Sequence, residues 1–204
     1  MHNERIAEAA LETLRPTQMT VGYGEVLLRR AQWRALDKRA RRLFVAQHAI
    51  PSVVGPKAKL YIVDHHHLGR ALLEEGVASV RLAIRADLTA LSKDEFWVVM
   101  DHRQWVHPYD ARGRRQSFSD IPKELQLLVD DPYRSLAAAV RMAGGFPKDQ
   151  TPFAEFLWAD FFRRRVPAAL LDRDPQGALS KAMGMAHDMA AMHLPGWTGP
   201  EASN

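Results

Sequence analysis

The chain has 204 residues, of which 47% are hydrophobic, and this is enough apolar material to bury one proper core. A fully disordered protein is therefore excluded. No apolar run approaches the roughly 18 to 20 residues that a membrane span needs, and the first residues lack the pattern of a secretory signal, so we expect a cytoplasmic protein. Because the chain has no cysteine, disulfides, thiolate metal sites and cysteine-based catalysis are excluded.

The positive charge is concentrated in one stretch. The chain has 28 basic and 24 acidic residues and a net charge of +4. Residues 29–42 contain seven basic residues and one acid, Asp37, so the stretch carries a net charge of +6 and the rest of the chain is slightly acidic. A basic helix here could contact DNA phosphates, or it could be an ordinary solvated face.

The N-terminal part predicts turns followed by helix. The first dozen residues fit either a helical lead-in or a strand that ends near Leu14. Residues 15–18 (RPTQ) predict a turn, because proline fixes its own φ and disfavours helix in the preceding residue. Gly22 and Gly24 predict a flexible loop, and apolar spacing from Glu25 to about Gln47 predicts one long helix or two short ones.

The middle of the chain predicts the order strand, turn, helix, strand. The segment 51–56 (PSVVGP) and the segment 59–63 (KLYIV) predict two short strands. The polar residues 64–67 (DHHH) end the second strand. Helical spacing returns over 68–75 before Gly76 ends the helix, and 77–84 (VASVRLAI) predicts another strand.

The C-terminal half predicts mostly helix. Ser92 and Glu95 form the pattern of a capping box, which predicts a helix over 92–100. Residues 107–118 are polar and contain Gly113 and three arginines, which predicts a loop or hairpin. Three further helices are predicted at about 132–143, 152–165 and 175–193. The sequence therefore predicts the α/β (α+β) class, with a small mixed sheet followed by an α-helical C-terminal part.

The segment from Asp64 to Arg70 is the candidate functional site. The first N–H groups of a helix have no partner inside it, and the helix dipole favours an anion such as phosphate there. The histidines at 65, 66 and 67 can donate ring N–H bonds to phosphate oxygens, and the Arg70 guanidinium could reach back toward the same anion. Asp64 would cap the helix or fix the tautomer of a histidine.

Two other interpretations of His65, His66 and His67 stay open. Three neighbouring histidines suggest a zinc site, but the sequence lacks a Glu-x-x-His or His-x-x-x-His pair to complete one. The histidines could also only cap the helix and satisfy the core.

The segment 61–71 (YIVDHHHLGRA) resembles the strand-to-helix box of ParB-like proteins, in which a Gly or Asp, a polar pair and an Arg bind nucleotide phosphates. Residues 14–18 (LRPTQ), followed by Val21-Gly22 and Glu25, resemble the opening of the same domain. Residues 130–135 (DDPYRS) and 155–160 (EFLWAD) resemble one bacterial branch, the putative ParB-like nucleases. These motifs extend over most of residues 10 to 166.

The resemblance implies a compact ParB/sulfiredoxin-like nucleotide-binding domain at 10–119 and a helical C-terminal extension packed on it at 120–204. It implies ATP or CTP as the cofactor, with Mg²⁺. Family members include nucleotide-gated DNA clamps, sulfinate reductases and kinases of free serine, and fold alone does not select among them. Sulfinate reduction needs a cysteine beside the box, which this chain lacks. After Arg165, too few residues remain for the additional domains of a full partition protein.

Several residues receive roles from this resemblance. Glu25 matches the acidic residue that serves as base in the kinase members, although a glutamate in the first turn of a helix is also ordinary dipole chemistry. Glu25 and His66 are the candidate catalytic residues. The candidate cofactor-binding residues are Thr17, Gln18, Asp64, His65, His66, His67 and Arg70. No metal ligand is assigned.

Other polar residues have competing interpretations. Asp130 and Asp131 could hold Mg²⁺, but Asp131 before Pro132 is also a good helix start. Tyr133 and Arg134 could face a pocket, whereas Trp158, Phe161 and Phe162 are predicted core residues. Glu155 and Asp160 receive no role from spacing.

The sequence thus gives three hypotheses for function. The first is an enzyme that binds ATP or CTP with Mg²⁺ and transfers or hydrolyses a phosphoryl group, with a small-molecule acceptor in the kinase case. The second is a nuclease or nucleotide-gated DNA-binding protein that uses the basic stretch 29–42. The third is a regulatory protein that only senses a nucleotide. The sequence does not indicate an oligomeric state.

Overall fold

The structure, a computed structural model, describes residues 5–200. The chain divides into two compact units, an N-terminal unit up to Asp130 and a C-terminal unit from Asp131. The domain prediction placed this boundary between residues 119 and 120. The N-terminal unit therefore also contains the segment 120–130, which holds part of the candidate site.

The N-terminal unit contains a small mixed sheet, as predicted. Its four strands lie in the order β1-β5-β3-β4, in which β1/β5 and β3/β4 are antiparallel and β3/β5 are parallel. Two further short strands, β2 and β6, pair in parallel. The strands are β1 (Arg5–Ala10), β2 (Thr20–Val21), β3 (Ile50–Gly55), β4 (Lys59–Ile62), β5 (Ser79–Asp87) and β6 (Val129–Asp130). Of the two alternatives for the N-terminal residues, the strand is observed, but it ends at Ala10 and not near Leu14, because a 3-10 turn follows at Leu11–Thr13.

The described part of the N-terminal unit also contains four α-helices, and the basic stretch 29–42 covers parts of the first two. The break follows Leu36, because the Asp37 carboxylate accepts the backbone N–H of Ala40 at 2.7 Å and so begins a new helix. A capping box of Ser92 and Glu95 begins the fourth helix, as predicted. The helices are α1 (Tyr23–Ala35), α2 (Lys38–Gln47), α3 (His66–Glu74) and α4 (Lys93–His102).

The C-terminal unit is helical, as predicted, but its helix bounds differ from the prediction. Its helices are α5 (Pro132–Met142), α6 (Ala154–Arg163), α7 (Ala168–Arg173) and α8 (Pro175–Ala186). The short α7 was not predicted. It is separated from α8 because the Asp174 carboxylate accepts the N–H of Gly177 at 2.9 Å and begins α8. The prediction extended the last helix to residue 193, but it ends at Ala186 and a short 3-10 turn follows at Met189–Ala191.

Each unit has its own apolar core. In the N-terminal unit, one cluster lies around Leu14, Ile62 and Leu82, and a second lies around Phe96 and Trp97. The core of the C-terminal unit contains Trp158, Phe161 and Phe162, at 0%, 3% and 0% exposure, which confirms their prediction as core residues. The helix that carries the candidate site packs on the first cluster, because Leu68, Ala71 and Leu72 on the apolar face of α3 are buried there.

The end of α3 gives a test of this local structure. Gly76 follows the helix with φ +71°, and a Cβ at this position would meet no atom within 4 Å. Gly76→Ala should lower the free energy of unfolding by about 1 kcal/mol, because a side chain is disfavoured in the left-handed region. Gly76→Asn should cost less, since asparagine tolerates that region. Urea unfolding followed by circular dichroism measures both, and an equal loss in the two variants would contradict the assignment.

Candidate functional site

The turn between β4 and α3 exposes Asp64 and His65. His65 is the N-cap residue of α3 and lies in the left-handed region, with φ 60°. The Asp64 carboxylate accepts the backbone N–H of His65 at 2.6 Å. Of the two roles predicted for Asp64, the helix cap is not observed, because Asp64 lies one residue before the N-cap and its carboxylate contacts the turn instead. Its effect on a histidine tautomer stays a prediction. The exposed polar surface at the start of α3 is formed by these two residues.

His66 is buried and holds the Thr17 segment. Its Nε2 accepts the backbone N–H of Thr17 at 3.1 Å, which requires that nitrogen to be unprotonated. The Thr17 hydroxyl donates to the carbonyl of Ile62 at 2.9 Å. The Gln18 amide donates to the carbonyl of Thr20 at 2.7 Å. His66, Thr17 and Gln18 are only 4%, 2% and 6% exposed, so their polar atoms serve the chain's own backbone. Their catalytic and cofactor-binding roles stay predictions.

His67 brings Glu25 to the start of α3. The His67 Nε2 lies 3.1 Å from Glu25 Oε2 and 3.2 Å from the backbone nitrogen of Gly22, the N-cap residue of α1. The side chains of His67 and Glu25 are 18% and 17% exposed. A carboxylate and an imidazole that are distant in sequence thus form an acid–base pair, in which both side chains are partly exposed and Glu25 Oε2 itself is buried. Glu25 lies in the first turn of α1, as predicted.

Arg70 is directed away from the start of α3. Its Nη1 donates to the carbonyls of Leu125 at 3.2 Å and Leu128 at 3.0 Å, and its Nε pairs with Glu74 at 2.5 Å. Its guanidinium carbon lies 5.5 Å from the centroid of the Tyr23 ring. The guanidinium therefore fastens the segment before β6 to α3. A phosphate role for Arg70 stays a prediction, and it would require these bonds to rearrange.

An ionic network joins α1 to α3 beside the site. The Tyr23 hydroxyl lies 2.9 and 2.8 Å from the two carboxylate oxygens of Glu74. Arg30 pairs with Glu74 and Glu75, both at 2.7 Å, and Arg34 pairs with Glu75 at 2.9 Å. The hydrogen bonds from Arg34 and Arg30 hold the pKa of Glu75 below its usual range. The hydrogen bond with Glu75 is the main reason that the pKa of Arg30 is raised.

The two aspartates at 130 and 131 have structural partners. Asp130 Oδ1 accepts the backbone N–H of Tyr23 at 2.8 Å and so caps the start of α1. Asp131 is the N-cap of α5, accepts the N–H of Tyr133 at 3.0 Å and pairs with Arg163. The helix-start interpretation of Asp131 is confirmed.

The remaining candidates lie in the C-terminal unit. The Tyr133 hydroxyl donates to the carbonyl of Val166 at 2.8 Å. Arg134 is 4% exposed, and its guanidinium carbon lies 3.4 Å from the centroid of the Phe156 ring. Both side chains are therefore part of the packed interior. The two residues without an assigned role form ion pairs, Glu155 with Arg141 at 2.8 Å and Asp160 with Arg163 at 2.7 Å.

The backbone groups that contact the candidate site were not predicted from the sequence. Besides Gly22 and Tyr23, they include His107, whose N–H donates to the carbonyl of Thr17 at 2.8 Å. No local pattern could have found these contacts, because each joins segments that are far apart in sequence. Within residues 5–200, the histidines and acids form no group of three or more that could hold a metal ion. None of the helices described over that range is long and apolar enough to cross a membrane.

Comparison with known proteins gives the family. The family described as Putative ParB-like nuclease matches residues 7–164. The chain therefore belongs to this ParB-like family, which confirms the resemblance noted in the sequence.

Two solved structures were also found to be similar to the chain. The structure of protein Atu1540 from Agrobacterium tumefaciens is similar over 97% of this chain and 100% of its own, at 48% identity and a TM-score of 0.89. The C-terminally truncated chromosome-partitioning protein ParB from Caulobacter crescentus, complexed with CTP-gamma-S, covers 91% of this chain and 93% of its own, at 12% identity and a TM-score of only 0.30. No curated protein matches the chain.

The ionic network predicts a pH-dependent contribution to stability. Because the pKa of Glu75 is lowered in the folded protein, its stabilising effect is present at neutral pH and is lost as the pH falls through the folded pKa. Glu75→Gln should therefore lower the unfolding temperature at pH 7. The difference from the wild type should shrink at pH values below about 4.3, the usual pKa of a glutamate. Exposed Glu12 gives a control, Glu12→Gln. A difference that stayed constant down to acid pH would contradict the charge pairing.

Proposed function

We propose that the protein binds a nucleoside phosphate, ATP or CTP, at the start of α3 and transfers or hydrolyses its terminal phosphoryl group. The observation that carries the proposal is the distance of 3.1 Å between Glu25 Oε2 and His67 Nε2, in two side chains that are partly exposed. Phosphoryl transfer needs a group that accepts the proton of the attacking hydroxyl, and a carboxylate beside an imidazole can do so.

The phosphate would lie against the first turn of α3. Its N-terminal N–H groups and the helix dipole favour an anion, and α3 is long enough, at nine residues, to have a full first turn. The His65 side chain is exposed, and its ring can donate to a phosphate oxygen. His66 would act indirectly, because its hydrogen bond to Thr17 keeps the neighbouring segment in place.

Magnesium would be held mainly by the phosphates of the nucleotide. The described residues offer no group of three ligands, and Mg²⁺ commonly takes one or two carboxylates together with substrate phosphates. Asp64 fits this role best, because its carboxylate is exposed on the turn that precedes α3. When bound, the ion would neutralise charge on the phosphates.

The reaction would proceed by in-line displacement. The oxygen of an acceptor hydroxyl, or of water, forms a bond to the terminal phosphorus, and the bond to the bridging oxygen breaks to leave a nucleoside diphosphate. The proton of the acceptor passes to the Glu25 carboxylate. His67 positions that carboxylate through its ring. Small-molecule kinase activity is the form of the reaction in which the acceptor is a hydroxyl compound.

The alternative, a nuclease or nucleotide-gated DNA-binding protein that uses residues 29–42, has weaker support. Arg30 and Arg34 are paired with Glu74 and Glu75. The Arg41 guanidinium donates to the carbonyls of Trp33 and Arg34, both at 3.2 Å. These three arginines thus have partners within the fold, and fewer charges of the stretch are left to contact DNA. This favours the phosphoryl-transfer proposal over DNA binding by the stretch.

Glu25→Gln tests the proposed base. Calorimetric titration with ATP, CTP and ADP in Mg²⁺ should give affinities within about twofold of the wild type. Formation of nucleoside diphosphate should fall by about 100-fold or more, since general-base catalysis contributes on that scale. Glu12→Gln should leave both unchanged.

His65→Gly tests the phosphate turn. Glycine adopts the left-handed region freely, so the variant should fold at least as stably as the wild type while it loses the ring. Nucleotide affinity should fall severalfold. Absence of binding by any nucleotide to the wild type, or turnover unchanged by Glu25→Gln, would sink the proposal.

A further inference from the structure

A strip of aromatic rings follows α4. From Trp105 to Tyr109 the residues alternate between partly exposed and buried, and the chain turns at Pro108, because the Tyr109 N–H donates to the carbonyl of His107 at 3.0 Å. Val106 is 3% exposed and Pro108 is buried, whereas Trp105, His107 and Tyr109 are partly exposed. The rings of His107 and Tyr109 stack, with centroids 4.5 Å apart and an interplanar angle of 23°. Parts of these three rings therefore reach the surface, and Trp105 also packs against the core around Phe96 and Trp97.

The strip continues into a braced hairpin. Tyr109 pairs antiparallel with Arg115, and Gly113 takes the turn with φ +71°. The Asp110 carboxylate supports the loop from inside. Its Oδ1 accepts the backbone N–H groups of Arg112 and Arg114, both at 2.9 Å, and its Oδ2 accepts the Gln116 amide at 2.9 Å.

The braced hairpin presents two cations to solvent. The side chains of Arg112 and Arg114 are exposed near its tip. Arg115 instead anchors the base, pairing with Asp101 at 2.9 Å. At the other end of the strip, the Arg103 guanidinium carbon lies 4.9 Å from the centroid of the Trp105 ring. Residues 110–115 contain three arginines and one acid, Asp110, so the hairpin has a net positive charge and attracts an anionic ligand.

We propose that the strip from Trp105 to Tyr109 and the hairpin tip together bind single-stranded nucleic acid. Bases stack on the partly exposed rings, and Arg112 and Arg114 contact backbone phosphates. Cations beside aromatic rings are the means by which proteins hold single strands without reading their sequence. A duplex fits less well, because its base faces are already stacked inside it. An acidic peptide would use the cations but has no flat bases for the rings.

The surface adjoins the candidate site. The His107 N–H donates to the carbonyl of Thr17, and Thr17 in turn donates its own N–H to His66. A strand lying on the rings would therefore have one end beside the segment that borders α3. This inference does not rest on the proposed phosphoryl transfer, because strand binding is measured without turnover and without nucleotide.

Fluorescence anisotropy of a labelled oligo-dT of 20 nucleotides, titrated with the full chain, tests the surface. The double variant Arg112→Ala/Arg114→Ala should weaken binding by about tenfold or more. It should also reduce the slope of log K against log salt by about 1.4, since each phosphate contact on a single strand contributes about 0.7. The matched control is Arg173→Ala/Lys181→Ala in the C-terminal unit, which removes the same charge from two exposed side chains outside the basic stretch 29–42 and should stay within twofold of the wild type.

The rings are tested separately. Tyr109→Ala should lower affinity for oligo-dT by about tenfold, whereas Tyr109→Phe, which keeps the ring, should not. Unfolding temperature verifies that each variant is folded. The proposal is overturned if the wild type does not bind the oligonucleotide, if a duplex of equal length binds as tightly, or if the Arg173→Ala/Lys181→Ala control loses as much affinity as the hairpin variant. Competition by free inorganic phosphate at low millimolar concentration would also overturn it, by indicating an anion site.

Discussion

Two imidazole rings at the start of α3 hold the segment on which the candidate site depends. His66 accepts the N–H of Thr17 from inside the core, and His67 lies within hydrogen-bond distance of the Gly22 nitrogen at the edge of solvent. Between them the chain forms β2 and then turns into α1. Because both rings belong to consecutive residues of one helix, the position of α3 fixes where α1 begins and therefore where Glu25 lies.

Ion pairs in the N-terminal unit hold α1 against α3. Glu74 and Glu75 at the end of α3 together receive Arg30 and Arg34 from α1 and Arg70 from α3 itself. In partly buried pairs that share partners, the attraction between opposite charges offsets part of the desolvation cost, and the pairs join two helices at a defined distance. The composition of the stretch 29–42 predicts a surface that binds polyanions. In the structure, Arg30 and Arg34 of this stretch instead pair with α3.

The sequence predicted the elements whose determinants are local. The capping box at Ser92, the end of α3 at Gly76 and the helix start at Asp131 each depend on residues within four positions. The direction of the Arg70 side chain could not be predicted, because its partners are backbone carbonyls of Leu125 and Leu128, more than fifty positions away. The sequence indicated which residues are polar at the turn, but not which of their side chains form hydrogen bonds within the fold.

The geometry around His67 Nε2 has a consequence for proton placement. This nitrogen faces both an N–H donor, at Gly22, and a carboxylate oxygen, at Glu25. It can present a lone pair to the first or a proton to the second, but not both at once. The tautomer of the His67 ring therefore determines whether the ring can accept the Gly22 N–H and so anchor the start of α1. Any event that moves a proton onto or off this pair also changes how firmly the backbone at Gly22 is held.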